Sequence, residues 1–473
     1  MVVNEKIEVL HRASIDILSQ IGIEFQHEET KKILLDAGIE VKNNRAYFTE
    51  EQINEYMSKA PKEFIVYARD EAFNMRLNTE ELNFTPGYGC PKIMEVDGKI
   101  RNALFDDYLK FAELVHVSPA FKINGGILVQ PNDIDAKLSA AAMVYTTMKR
   151  SSKCIMGVSG NQESTEHIMH LASILFGGRE ELKKKPRIIT LISTLSPLKI
   201  DRNALETLYV CTQYNQPIAI APGPMAGGTG PISPAGNIAM ANAEILGTLV
   251  LTQILNPGNP VIYTFAATTM DMRTCNVSIG SPGFTLQAKY GARLAKKYGL
   301  PCRSGGGMTD ANGITAQSGF ESMMSLFEAY QEKANFVMHS AGILDSFSSM
   351  SYEKFVMDLE IIDRLKYYFK ELEVNETTLA LDAIKDVVEG TTFIEHIHTV
   401  QRCRKDPWFP SISIRRRLMP GEDPNQVLYD SMHNRLEEML RAYKKPEIDG
   451  SIEKQLDDYM LHLGMNKEII GKI

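Results

Sequence analysis

The chain has 473 residues, 44% of them hydrophobic and 23% charged, with a formal charge of −8. This is the balance of a folded globular protein, long enough for one large domain with additions or for two or three domains. The only basic clusters, 183–185 and 415–417, argue against nucleic acid as a partner, and six scattered cysteines without a C-x-x-C argue against a disulfide framework or a thiolate zinc site.

The N-terminus is charged from the start and lacks the apolar core of a signal peptide. The longest apolar stretch, 245–255, carries Thr252 and Gln253 and is too short to cross a bilayer. A cytoplasmic protein without membrane contact is expected. Residues 1–80 read as a helical preface with a small β element. Ile7, Leu10, Ile15, Leu18 and Ile21 share one helix face, ended by Gly22. A second helix starts near His27 and ends at Gly38, and residues 39–48 alternate as a hairpin across Asn43-Asn44. Thr49 and Gln52 form a capping box for a third helix.

From residue 81 the chain falls into a beat. β-rich apolar runs occur at 82–85, 121–128, 153–158, 187–192, 217–221, 261–265, 301–304 and 335–339, with helical patterns between them. Asn161 caps one such helix, closed by Gly177-Gly178, and Ser281-Pro282-Gly283 opens another. Eight strand–helix repeats predict an α/β fold, a (β/α)8 TIM barrel over 81–345, in preference to an open doubly wound sheet. After Gly342 the strand signal stops. Amphipathic helices at 352–371 and 377–388, a turn-rich segment with the only tryptophan, Trp408, and charged terminal helices make a C-terminal extension, 346–473, packed on the barrel.

On such a barrel the loops after the strands line one mouth. Here they are rich in glycine, hydroxyls and methionine and poor in charge, from Pro86-Gly87-Tyr88-Gly89-Cys90 to the PGPMAGGTG loop at 222–230 and Gly305-Gly306-Gly307. Asp310 and His339 are the titratable residues nearest the strand ends, with Asp271 and Arg273 further out. Asp310 equally suits a helix cap, and His339 a packed core position. His167 and His170 lack a third ligand and read as helix-face residues, His396 and His398 read as structural, and no metal site is expected.

Five segments in order carry a resemblance: PGYGCPKIMEVDGKIRNALFDDY at 86–108, the block from Pro224 to Tyr263, GGMTDANGITAQSGFES at 306–322, AGILDSFSSMSYEKFVMDLEI at 341–361, and HIHTVQRCRKDPWFPSISIRRR at 396–417. Together they resemble the trimethylamine methyltransferase family of corrinoid-dependent enzymes. The resemblance implies a TIM barrel that presents a methylammonium compound to the cobalt(I) corrinoid of a separate partner protein, with no cofactor bound by this chain itself. The name-giving members carry pyrrolysine and this chain does not, so it resembles the branch acting on quaternary amines such as glycine betaine, proline betaine, carnitine and γ-butyrobetaine.

A quaternary nitrogen already bears its positive charge, so no general acid is needed to expel the tertiary amine. The site must supply position, dryness and a surface for a cation. Candidate substrate-binding residues are the rings of Tyr88, Tyr263 and Phe265 and Arg303 for a carboxylate, with Arg273 as its alternative. His339 is the leading catalytic candidate, with Asp310 and the i, i+4 pair Gln317 and Glu321. Gly227, Gly228, Gly306 and Gly307 are expected to face the flat corrin. The expected partners are the corrinoid protein, a small quaternary amine and further copies of this chain. A non-catalytic amine-binding or corrinoid-scaffold barrel is the alternative.

Overall fold

The computed structural model describes residues 2–78, 80–390 and 392–473. Its centre is an eight-stranded parallel sheet: β1 (Asn83–Phe84), β2 (Ile123–Gly125), β3 (Cys154–Met156), β4 (Ile188–Ser193), β5 (Ile218–Ala221), β6 (Val261–Thr264), β7 (Cys302–Gly305) and β8 (Phe336–Met338). Each of the eight expected apolar runs contains or overlaps one strand. β2 to β8 pair in sequence order, β8 returns to β1 through Val337 opposite Phe84, and a parallel bridge from Phe84 to Phe121 brings the last edge round. The result is a TIM barrel, in which closure leaves no open edge to pair with another chain.

Alternation along the strands sorts the apolar residues into two cores. Ile123, Met156, Ile189, Ala219, Ile262 and Met338 fill the barrel interior, while Ile155, Ile188, Ile218, Val261 and Val337 pack under the helices. The hairpin Phe64–Val66 with Met75–Leu77 plugs the lower end: Val66, Ala68, Met75 and Leu77 join the interior core, and the Cys154 thiol donates to the Val66 carbonyl at 3.2 Å. The interior is therefore dry below and open only at the mouth.

The preface hairpin turns at Asn43 and Asn44, both at positive φ (50° and 65°), which asparagine tolerates better than most residues. The Thr49–Gln52 capping box is formed in both directions. The apolar stretch expected at 245–255 is part of a longer helix, Pro234–Leu255, which by length and composition alone would reach across a bilayer. It is buried almost throughout, because the helices Val2–Asp16 and Glu50–Lys59 pack on the side that does not face the barrel. That burial accounts for its apolarity all round. The segment expected as a loop after β6 instead forms a hairpin, Thr268–Asp271 with Asn276–Ser278, which lies over the mouth and pairs with Met225–Ala226.

Candidate active site

A cavity of about 400 Å³ opens at the C-terminal ends of β4 to β8. Leu191 and Ser193 of β4, Ala221 of β5, Ala266 after β6, Arg303 of β7 and His339 after β8 contribute to its wall. Phe284, from the first turn of the helix Pro282–Tyr298, and Phe347 add aromatic surface.

Arg303 is the one charged side chain on this wall, and it is buried. Its Nη1 donates to the Phe265 carbonyl at 3.1 Å and its Nη2 to His339 Nδ1 at 2.9 Å, while its Nε has no partner. No carboxylate bonds to it among the described residues. Burial draws its pKa down to about 10, which still leaves it cationic at neutral pH. A buried, uncompensated cation is costly unless an anion arrives to pair with it.

His339 follows β8 in the left-handed region, φ 58°, and that turn brings its ring to the Arg303 fork. Because Arg303 can only donate, His339 Nδ1 accepts, which assigns the neutral imidazole with its proton on Nε2. Burial and the neighbouring guanidinium both hold its pKa well below the usual histidine value. Two rings meet it edge to face: Phe347 at 4.8 Å between centroids and Tyr88 at 6.3 Å. The Tyr88 hydroxyl is buried without a hydrogen-bond partner. Phe347 ends three successive non-glycine residues at positive φ, Asp345, Ser346 and Phe347 (51°, 48° and 72°). Such backbone costs about 1–3 kcal/mol per residue and persists only where its surroundings hold it. Here Ser346 Oγ donates to Asp310 at 2.7 Å, and the Asp345 and Ser346 amides bond to the carbonyls of Ala311 and Thr309.

The structure thus brings His339, Arg303 and Tyr88 together. It places the other candidates elsewhere. Tyr263 and Phe265 point outward to the helix layer: the Tyr263 hydroxyl donates to Asn242 at 2.8 Å, and the Phe265 ring lies where a Cβ on Gly291 would sit. Strand alternation is the reason, since Ile262 and Ala266 occupy the inward register and only the Phe265 carbonyl reaches the site. Arg273 is exposed and paired with Asp271 at 2.6 Å.

Asp310, Gln317 and Glu321 line a separate, more open hollow of about 700 Å³, on the other side of the 268–278 hairpin. Their oxygens are engaged by the chain. Asp310 accepts from the Ile279 and Gly280 amides and the Ser278 and Ser346 hydroxyls, and Glu321 from Thr309 Oγ1, the Asp310 amide and Gln317 Nε2. They join loops rather than face the cavity, and Asp310 caps no helix after Gly313. Gly306 and Gly307 are buried, and a Cβ on them would lie 2.5 Å from Ser340 Cα and 2.7 Å from the Ser340 carbonyl oxygen. They make room for the chain's own backbone. Gly227 is half-buried and Gly228 exposed, beside Met270 and Met272 of the mouth hairpin.

Three site residues escaped sequence reasoning. Phe284 had a signal, because the first turn of a helix that follows a barrel strand begins at the mouth. Phe347 had none, since nothing in Asp345-Ser346-Phe347 announces left-handed backbone. Glu244 also had none: it is buried in the helix Pro234–Leu255 and accepts from Thr194, Ser196 and the Leu198 amide, fixing the loop that carries Thr194 on the cavity wall. Among the described residues no group of three or more His, Cys, Asp or Glu is placed to hold a metal ion. His167 bonds to the Tyr459 hydroxyl at 2.8 Å and His170 packs on the same ring.

A family model described as trimethylamine methyltransferase matches residues 1–463. The chain is 37% identical to a glycine betaine methyltransferase of Desulfitobacterium hafniense, over 97% of this chain and 96% of that one. It is 28% identical to a proline betaine:corrinoid methyltransferase of Eubacterium limosum, with 96% of each chain covered. Among solved structures it is similar to the monomethylamine methyltransferase of Methanosarcina barkeri, at a TM-score of 0.54 and 12% identity, over 92% of this chain and 87% of that one. That likeness concerns the fold alone.

Proposed function

The chain belongs to the trimethylamine methyltransferase family, and from that premise we propose that it moves a methyl group from a carboxylated quaternary amine to the cobalt(I) corrinoid of a separate protein. The observation that carries the substrate class is the buried, uncompensated Arg303 on the cavity wall. A carboxylate completes its fork, and a bidentate guanidinium–carboxylate pair also fixes the substrate's orientation. The rings of Phe347 and Phe284 on the cavity wall offer aromatic surface to the quaternary nitrogen, an attraction of about 2 kcal/mol when dry. Glycine betaine, proline betaine, carnitine and γ-butyrobetaine meet both demands, whereas choline and trimethylamine lack the carboxylate.

A cavity of about 400 Å³ suits a small amine, and a partner's corrin would meet it at the mouth. Cobalt(I) there would supply the nucleophile for the methyl group. This chain's residues bind, orient and exclude water. Arg303 fixes the carboxylate, the aromatic wall turns a methyl group outward, and the plugged barrel keeps the site dry from below. The departing tertiary amine is neutral and needs no proton, which agrees with His339 being held neutral: it keeps Arg303 in place and donates nothing to the leaving group.

The test is to mix the chain with a corrinoid protein reduced to cobalt(I), add each amine in turn, and follow the cobalt(I) absorbance together with the demethylated product. Consumption is expected with one of the four carboxylated amines and not with choline or trimethylamine. Turnover of choline in preference to every betaine would remove Arg303 from substrate recognition. Calorimetric binding of a betaine without cobalt(I) consumption across several corrinoid partners would make the chain a binding protein.

A further inference from the structure

Residues 367–419 carry a surface unlike the rest of the molecule. Of twenty-eight exposed large apolar side chains among the described residues, sixteen lie in this stretch. Leu372, Val388 and Ile394 are each more than 80% exposed. In the helix Leu381–Val388, Leu381, Ile384 and Val388 share one outward face, and neither this helix nor Glu376–Leu379 or Ile397–Arg402 packs extensively on another helix. Monomers rarely leave so many large apolar side chains open in one stretch of chain, whereas a standard interface covers roughly 800 Å² of each partner.

Charge says what covers it. Between 372 and 400 there are six acidic residues (Glu373, Glu376, Asp382, Asp386, Glu389, Glu395) against the single Lys385. Between 401 and 417 there are six basic residues (Arg402, Arg404, Lys405, Arg415, Arg416, Arg417) against the single Asp406. Part of this charge is satisfied within the chain, by Asp386 with His396, Arg402 with Glu373 and Asp406, and Arg416 with Glu422. Glu376, Asp382 and Glu389 on one side, and Arg404, Lys405 and Arg417 on the other, form no ion pair among the described residues. A surface acidic in one half and basic in the other is complementary to a copy of itself turned through a two-fold axis.

Position agrees. The helix Tyr352–Tyr368 starts beside the mouth, where the Ser351 amide bonds to the Gly342 carbonyl, and its seventeen residues run about 25 Å away from it. At the far end Phe369 stacks on Tyr330, with ring centroids 5.2 Å apart, close to where the helix Ala316–Gln331 ends. The stretch thus leaves the barrel at the end opposite the cavity, and its later part returns to the middle of this helix, where Glu360 accepts from the Ser411, Ile412 and Ser413 amides.

We propose that residues 367–419 are an arm by which two copies of this chain pair about a two-fold axis, the acidic half of each against the basic half of the other. The inference stands apart from the substrate assignment. Sedimentation equilibrium of the full chain is expected to show a dimer that weakens as salt is raised. D382K/E389K and, separately, R404E/K405E each raise its dissociation constant by at least about tenfold, and an equimolar mixture of the two variants pairs again as a heterodimer. These side chains are exposed, and unchanged melting temperatures check that the variants are folded. Hydrogen exchange on the unmodified chain needs no variant: amides of 381–400 are expected to gain protection with chain concentration alone. A parent monomeric at every concentration, variants that pair as the parent does, a mixture that stays apart, or protection that appears only on adding a corrinoid protein would each overturn the proposal.

Discussion

Arg303 and His339 form a pair in which each explains the other. A guanidinium buried without a carboxylate is held by neutral acceptors only, the Phe265 carbonyl and an imidazole kept unprotonated by burial and by the guanidinium itself. Arg303→Met is therefore expected to weaken betaine binding by roughly 10- to 100-fold, the worth of a charged hydrogen bond of about 1.5–3 kcal/mol, when measured by calorimetry. It should leave the melting temperature of the ligand-free chain unchanged or higher, since a desolvated charge is removed. A large loss of stability in that variant would mean that the guanidinium serves the fold and not a ligand. Arg303→Lys should bind poorly as well, because an ammonium cannot span the two neutral acceptors and a carboxylate with one planar fork. His339 poses a backbone question too. At φ 58°, asparagine is the tolerated replacement, so His339→Asn should melt above His339→Ala while both lose turnover.

At the scale of elements, the loops around the mouth are tied by carboxylates that sequence reading placed in catalysis. Asp310 takes four hydrogen bonds from 278–280 and 346, across two loops, and through Ser346 it secures the left-handed turn that presents Phe347. Asp310→Asn replaces one acceptor oxygen by a donor. It is expected to cost about 2 kcal/mol in denaturant unfolding and to raise hydrogen exchange at 278–281 and 345–348 together. An effect on turnover with those amides unchanged would return Asp310 to the chemistry. Gly306 offers a parallel test. A methyl group there meets Ser340 Cα at 2.5 Å, so Gly306→Ala should destabilise the fold by about 1–3 kcal/mol and leave corrinoid-protein affinity alone in whatever fraction stays folded.

At the scale of the whole molecule, the plugged barrel and the packed preface bury several histidines in neutral form. Burial, with help from Lys153 and Arg69, brings His116 down to about 4 from an ordinary 6.5, and burial lowers His11 and His339 as well. Between those limits His116 holds a proton in the unfolded chain that it lacks in the folded one, so its contribution to stability rises with pH across about 4 to 6.5 and is complete above that, while Asp358, raised by burial to about 6, acts in the opposite direction. As pH drops from 7 towards 5, the melting temperature of His116→Gln is expected to fall less than that of the unmodified chain. Equal pH slopes for the two chains would contradict it.

The barrel was legible because its signal is local and repeated: eight short apolar runs, each within a few residues of a strand, separated by helices with readable caps at Asn161, Gly177 and Ser281. Local chemistry likewise determined the Asn43-Asn44 turn and the Thr49 box, since both depend on residues within four positions of one another. The site was half legible. Tyr88 and His339 stand beside strand ends, which sequence locates, but whether Arg303, Tyr263 or Phe265 faces inward turns on a one-residue register that only pairing with neighbouring strands fixes. The placement of Asp310 and Glu321 among backbone amides, the close approach of Ser340 to Gly306, and the left-handed turn under Phe347 were decided by contacts between segments far apart in the chain. Periodicity and motif spacing describe one segment at a time. Which side chain is left charged, buried and without a partner is a property of several segments at once, and only the tertiary structure decides it.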